Sequence, residues 1–176
     1  MAHRMSYRML IFVILLLIQC RFEFTNVNCT SLNKKFGECE YLYLKSVNRT
    51  YKYLSGKFKL YQLPVKALDV NFVLLKRFNG YKPFLYNVTV NACKLFVNPK
   101  SSPVAKFFYD SFLTFSNMNH SCPYNHDIII DKLPADFINH RLTQLLPFPH
   151  GDYLVEAYWS RSGSLFAMVR VYGSLS

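Results

Sequence analysis

The chain has 176 residues, 21 Lys and Arg against 10 Asp and Glu for a formal charge of +11, and is 51% hydrophobic and 17% aromatic. This is far too apolar for a disordered chain, and it is one domain's worth of sequence, enough to bury a proper core. The positive surface would attract anionic lipid headgroups, glycosaminoglycans or acidic partners, while scattered lysines and arginines also serve simply to keep so apolar a protein dissolved.

The first segment reads as a secretory leader. Arg4 and Arg8 supply a positive n-region, Leu10 to Ile18 an apolar core, and Gln19-Cys20 a cleavage step. A membrane span needs roughly 20 apolar residues, and Arg21 and Glu23 follow this shorter run directly. Residues 1–20 are therefore expected to be a signal peptide and 21–176 a single secreted domain, which argues against nucleic acid as a partner. Four Asn-x-Ser/Thr sequons agree with export, at Asn28, Asn48, Asn87 and Asn119, each an acceptor for a hydrophilic glycan.

Period-two alternation then dominates the chain. It predicts strands over Phe22–Cys29, Phe36–Lys45 and Tyr51–Gln62, the last turning Leu54, Phe58 and Leu60 inward and Lys57 and Lys59 outward before Pro64. Asn79-Gly80 is expected to join strands Leu68–Phe78 and Phe84–Cys93 through a type I′ turn. Their inward rows are Leu68, Val70, Phe72 and Leu74 on one side and Phe84, Tyr86, Val88, Val90 and Ala92 on the other, with Asn87, Thr89 and Asn91 facing out. After Pro103 the apolar spacing becomes helical through Val104, Phe107, Phe108, Ser111, Phe112 and Phe115. A short strand at Ile128–Ile130 precedes an irregular stretch punctuated by Pro134, Pro147 and Pro149. A closing hairpin, Tyr153–Trp159 and Leu165–Tyr172, turns through Arg161-Ser-Gly163. The pattern predicts an all-β protein with one amphipathic helix, built as a two-sheet antiparallel β-sandwich.

Downstream of the leader stand Cys29, Cys39, Cys93 and Cys122, an even number that implies two disulfides among three possible connectivities. Adjacent pairing, Cys29 with Cys39 and Cys93 with Cys122, is the expectation. His120, Cys122, His126, Asp127 and Asp131 lie close in sequence, but a thiol committed to a disulfide is not a thiolate ligand or nucleophile. His126-Asp127 reads as turn chemistry. Ser162-Gly-Ser164 lacks the spacing of a nucleophile elbow, and no pair of carboxylates stands out for glycoside hydrolysis. No metal, cofactor or catalytic activity is expected.

Four blocks carry a family resemblance: Asn79-Gly-Tyr-Lys-Pro-Phe-Leu-Tyr-Asn-Val-Thr89, Ala92-Cys-Lys94, Asn117-Met-Asn-His-Ser-Cys-Pro-Tyr-Asn-His-Asp127 and Leu146-Pro-Phe-Pro-His-Gly-Asp-Tyr153. Over Phe22 to Ser176 the chain resembles a large insect family of secreted proteins of unknown function that includes the CheB chemosensory proteins. That family is similar in outline to the ML lipid-recognition proteins, so the resemblance implies an immunoglobulin-like sandwich whose sheets part around an apolar cavity. It also implies a bridged loop at a Cys-Pro step such as Cys122-Pro123. One departure stands out: the family commonly places its second cysteine where this chain has Leu42, three residues beyond Cys39, and an offset of three reverses the face of a strand.

Two functions follow as expectations. In the first, the chain carries or presents a lipid, fatty-acid derivative or hydrocarbon in a slot lined by Phe58, Leu60, Phe72, Leu74, Phe84, Tyr86, Val88 and Phe108, with chemosensation as the setting and a membrane receptor as the partner. In the second, the sandwich is solid and its glycosylated surface binds another extracellular protein. A cavity between the sheets discriminates the two.

Overall fold

Strands that bury one face must find a second layer to bury it against, and the eight expected strands do so as two facing sheets. The structure is a computed structural model describing residues 21–49, 51–145 and 148–176; the leader at 1–20, Thr50 of the second sequon and residues 146–147 of the last signature block lie outside the described residues. One sheet has five strands in the order β1 (Phe22–Ser31), β8 (Ser164–Leu175), β7 (Gly151–Arg161), β4 (Asp69–Phe78), β5 (Gly80–Asn91). The other holds β2 (Gly37–Ser46), β3 (Lys52–Leu60) and β6 (Ile128–Pro134), with all pairings antiparallel.

Register follows the apolar rows. Val70, Phe72 and Leu74 of β4 are buried, and Phe84, Tyr86, Val88 and Val90 of β5 alternate half-buried with exposed Asn87 and Thr89. The Asn79-Gly80 turn departs from expectation: positive φ falls on Gly80 alone (+92°), and Phe78 pairs with Gly80 itself. The β4–β5 ribbon takes up its irregularity farther along, at a bulge where Leu85 adopts φ +61°. The type I′ pattern appears at the β7–β8 hairpin instead, where Ser162 (φ +49°) and Gly163 (φ +79°) are the two residues between paired Arg161 and Ser164.

Both expected disulfides are present, Cys29–Cys39 and Cys93–Cys122. A second bulge explains the displaced cysteine. Cys39 pairs with Phe58 and Tyr41 with Lys57, so Glu40 is an extra residue in β2, and the shift it introduces returns Cys39 and Leu42 to the same face. The three-residue offset thus costs the bridge nothing.

Three α-helices are present among the described residues where one was expected. Strand β5 ends before Cys93 because Asn91 caps a helix: its Oδ1 accepts from the Lys94 N–H at 2.9 Å and opens α1 (Ala92–Val97). Helix α2 (Pro103–Leu113) is the anticipated one, burying Ala105, Phe108 and Tyr109. The stretch read as irregular folds as α3 (Ala135–His140), extended by a wide turn over Arg141–Leu145. Pro134 reads as a breaker in sequence, yet immediately before a helix it is compatible with the first turn, and Asp136 adds the favoured negative charge there. Helix α3 lies on the edge strand β1, with Asn139 Oδ1 accepting from the Phe22 N–H at 2.7 Å.

Candidate functional site

The inward rows of the two sheets do not meet along their whole length. Between them lies a cavity of about 240 Å³, walled by β3 and β6 on one side, β4, β7 and β8 on the other, and closed laterally by α2, α3 and β1. Its wall is almost wholly hydrocarbon and aromatic. Along β8 it follows Ala167, Val169, Val171, Gly173 and Leu175, and along β7 Tyr153, Val155, Ala157 and Trp159, each row at a period of two. At roughly 3.3 Å per strand residue, the β8 wall runs for about 25 Å. A volume this small leaves room for a slender apolar group and not for a bulky one.

Small side chains make the void. Ala157, Ala167 and Gly173 stand on the five-stranded sheet, and Gly56 of β3 lines the opposite wall. Not every missing side chain is a vacancy: a Cβ on Gly173 would lie 2.2 Å from the Phe22 ring, and one on Gly56 would lie 2.6 Å from Leu42 Cδ1. Those glycines admit a neighbouring side chain, whereas Ala157 and Ala167 face the slot between larger groups.

Of the sequence-derived lining, Phe58, Leu60, Phe72, Leu74 and Phe108 border the cavity. Phe84, Tyr86 and Val88 do not, which corrects the expectation for these three. They point inward, but β5 is an edge strand covered by α2, and the side chains there are consumed by packing. Phe108 stacks on Phe72 with ring centroids 5.5 Å apart, Tyr86 meets Phe108 edge-on at 6.2 Å, and Phe84 lies 6.0 Å from Tyr153. The residues missed, chiefly those of β8, carry a signal in the row Ala167, Val169, Val171, Gly173: alternation with unusually little volume.

Charge is kept to the rim. The stem of Lys57 lines the slot while its ammonium reaches Glu40 at 3.0 Å and Asp127 at 3.4 Å; Lys59 also reaches Glu40, at 3.3 Å. The hydrogen bond from Lys57 holds the Glu40 carboxyl below its ordinary range despite an opposing desolvation, and the same bond raises the Lys57 ammonium. Tyr124, fully buried in the wall, has its phenol pushed up by burial, so it stays protonated and donates to the His120 carbonyl at 3.0 Å.

The titratable cluster weighed as a metal or thiol site is otherwise engaged. Cys122 is bridged to Cys93, Asp127 Oδ1 accepts from the Leu60 N–H at 3.1 Å, and Asp131 lies on β6 with its backbone N–H on the Phe115 carbonyl. His120 and His126 bring their Nε2 atoms to 2.9 Å, a hydrogen-bond separation, and among the described residues no three His, Cys, Asp or Glu side chains are grouped to hold a metal ion. All four sequon asparagines, Asn28, Asn48, Asn87 and Asn119, are exposed.

Residues 70–155 match the family model described as a protein of unknown function (DUF1091). The match runs from β4 into β7 and contains all four signature blocks, a narrower span than the one expected from Phe22 to Ser176. It takes in the β4, α2, α3 and β6 walls of the cavity and leaves β1, β3 and β8 outside. No curated protein matches the chain.

Proposed function

We propose that this protein is an extracellular carrier or presenter of a hydrophobic ligand held between its two sheets. The observation that carries the reading is the continuous apolar slot itself. A solid interaction module needs no void, since protein interiors ordinarily pack to crystal density, and leaving a slot of this size empty forfeits the contacts its walls would otherwise make. At about 240 Å³ the space falls just below the range of ordinary ligand sites, roughly 300–1,000 Å³, and suits a small or slender ligand. Each ligand methylene buried there contributes about 0.8 kcal/mol, so a chain of several methylenes is held without a charged anchor.

Export supports the same reading. The two disulfides suit an oxidising compartment, the four sequon asparagines are accessible to a glycan, and among the described residues no helix is long and apolar enough to cross a membrane. The resemblance to the CheB proteins and to the ML lipid-recognition outline points to a lipid, fatty-acid derivative or hydrocarbon, with chemosensory presentation to a membrane receptor as the setting.

The test is organic extraction of the protein secreted from cultured eukaryotic cells, followed by lipid mass spectrometry. A copurifying or exchangeable apolar molecule is expected, and Ala157→Leu, which projects into the slot, should lose it while costing less than about 1 kcal/mol, below the usual overpacking range. A protein that neither retains nor exchanges any such molecule would be a surface-binding module instead. Enzymatic deglycosylation of the same material should shift its mass.

A further inference from the structure

A second hollow, also about 240 Å³, opens beside the cavity at the β7–β8 hairpin. It is polar: Arg161, Ser162 and Ser164 of the hairpin, Asn33 of the β1–β2 turn and Gln62 after β3 line it, and no acidic residue does. The Arg161 guanidinium lies 5.3 Å over the Phe36 ring, with its Nη1 donating to the Gln62 carbonyl at 3.5 Å, and it meets no carboxylate among the described residues.

Phe166 borders both spaces. It owes this place to a bulge: Trp159 pairs with Ala167 and Ser160 with Leu165, so Phe166 is the extra residue of β8 and turns inward beside Ala167. Its backbone is held, the carbonyl accepting from the Leu32 and Asn33 N–H groups at 2.8 and 3.1 Å. Its ring packs on Phe36, centroids 4.2 Å apart, and on Phe58 at 5.7 Å. One aromatic ring on a fixed backbone therefore stands between a guanidinium with no carboxylate partner and the apolar slot.

We infer that the ligand is a single-chain amphiphile with an anionic head, whose head docks on Arg161 in the polar hollow and whose tail enters the slot past Phe166. The inference rests on the carriage reading and adds the head-group chemistry and its place. Lys57 is the competing cation at the slot, but Glu40 and Asp127 already neutralise it, and an incoming anion there would displace one of them. Arg161 offers a planar fork suited to a carboxylate or a phosphate, at a position with no carboxylate to displace.

The experiment is displacement of the fluorescent probe N-phenyl-1-naphthylamine from the secreted protein by hexadecanoate, by hexadecyl phosphate and by uncharged hexadecanol. The wild type should bind at least one anion about tenfold more tightly than hexadecanol, the worth of a charged hydrogen bond. Arg161→Gln should erase that preference while leaving hexadecanol unchanged, and Arg161→Lys should keep part of it. Near-UV circular dichroism of each variant should match the wild type. Equal affinity for all three chains, or a preference that survives Arg161→Gln and vanishes in Lys57→Gln, overturns the docking and leaves carriage standing. Failure of the probe and of every chain to bind overturns carriage and this inference with it.

Discussion

The β5 side of the sandwich and the β7–β8 side present the same kind of sequence, apolar residues at every second position, and end in opposite states. Beneath α2, Phe108 stacks on Phe72 and meets Tyr86 edge-on, and no β5 side chain borders the cavity. Opposite β3, the row of Ala157, Ala167 and Val169 leaves a slot. Alternation thus decides which face is buried, while side-chain volume and what covers the strand decide whether burial means contact or vacancy.

The packed side should be the costlier to disturb. Phe108→Ala removes a ring stacked on Phe72 and is expected to lower stability by about 3–5 kcal/mol, read from urea midpoints with the slope unchanged; a loss below about 1 kcal/mol would mean that this side also gives way. Nearly as large, at about 3–4 kcal/mol in the chain-entropy model, is the effect of replacing Cys93 and Cys122 together by serine, since that bridge closes a separation of 29 residues around α1 and α2. Cys29–Cys39, spanning 10 residues, should matter less in the same assay.

Gly173→Ala sharpens the contrast from within the slot wall. The added methyl meets the Phe22 ring and should cost about 1–3 kcal/mol, more than the larger change Ala157→Leu at a position that faces space. The smallest expected effect is at the rim. The Glu40 carboxyl is held below its ordinary 4.5, so its bonds to Lys57 and Lys59 contribute stability that is complete above that pH and is lost on acidification below it. Glu40→Gln should accordingly differ from the wild type at pH 7 and converge with it as acid protonates the Glu40 carboxylate; a difference that grows on acidification would reverse the sign.

Much of this was legible in the linear chain. The strands, the sandwich, helix α2 and the number of disulfides follow from period, turn residues and cysteine count, and the adjacent pairing chosen among three matches the structure. Five of the expected lining residues, Phe58, Leu60, Phe72, Leu74 and Phe108, reach the slot because period alone turns them inward. Phe84, Tyr86 and Val88 obey the same period and miss it, since their strand lies at an edge beneath a helix. Phe166 could not be found this way, because a bulge breaks the rule that would have placed it. Helices α1 and α3 were hidden by a cap at Asn91 and by a proline that fits a helix start as well as a turn.

Sequence by itself determined which residues would be hidden from water, since alternation along a strand is a covalent consequence of the pleat. Only the tertiary structure decided where hidden residues meet and where they stand apart. That separation depends on the summed volumes of side chains drawn from seven strands and two helices, and on bulges that shift the register, none of which any single segment contains.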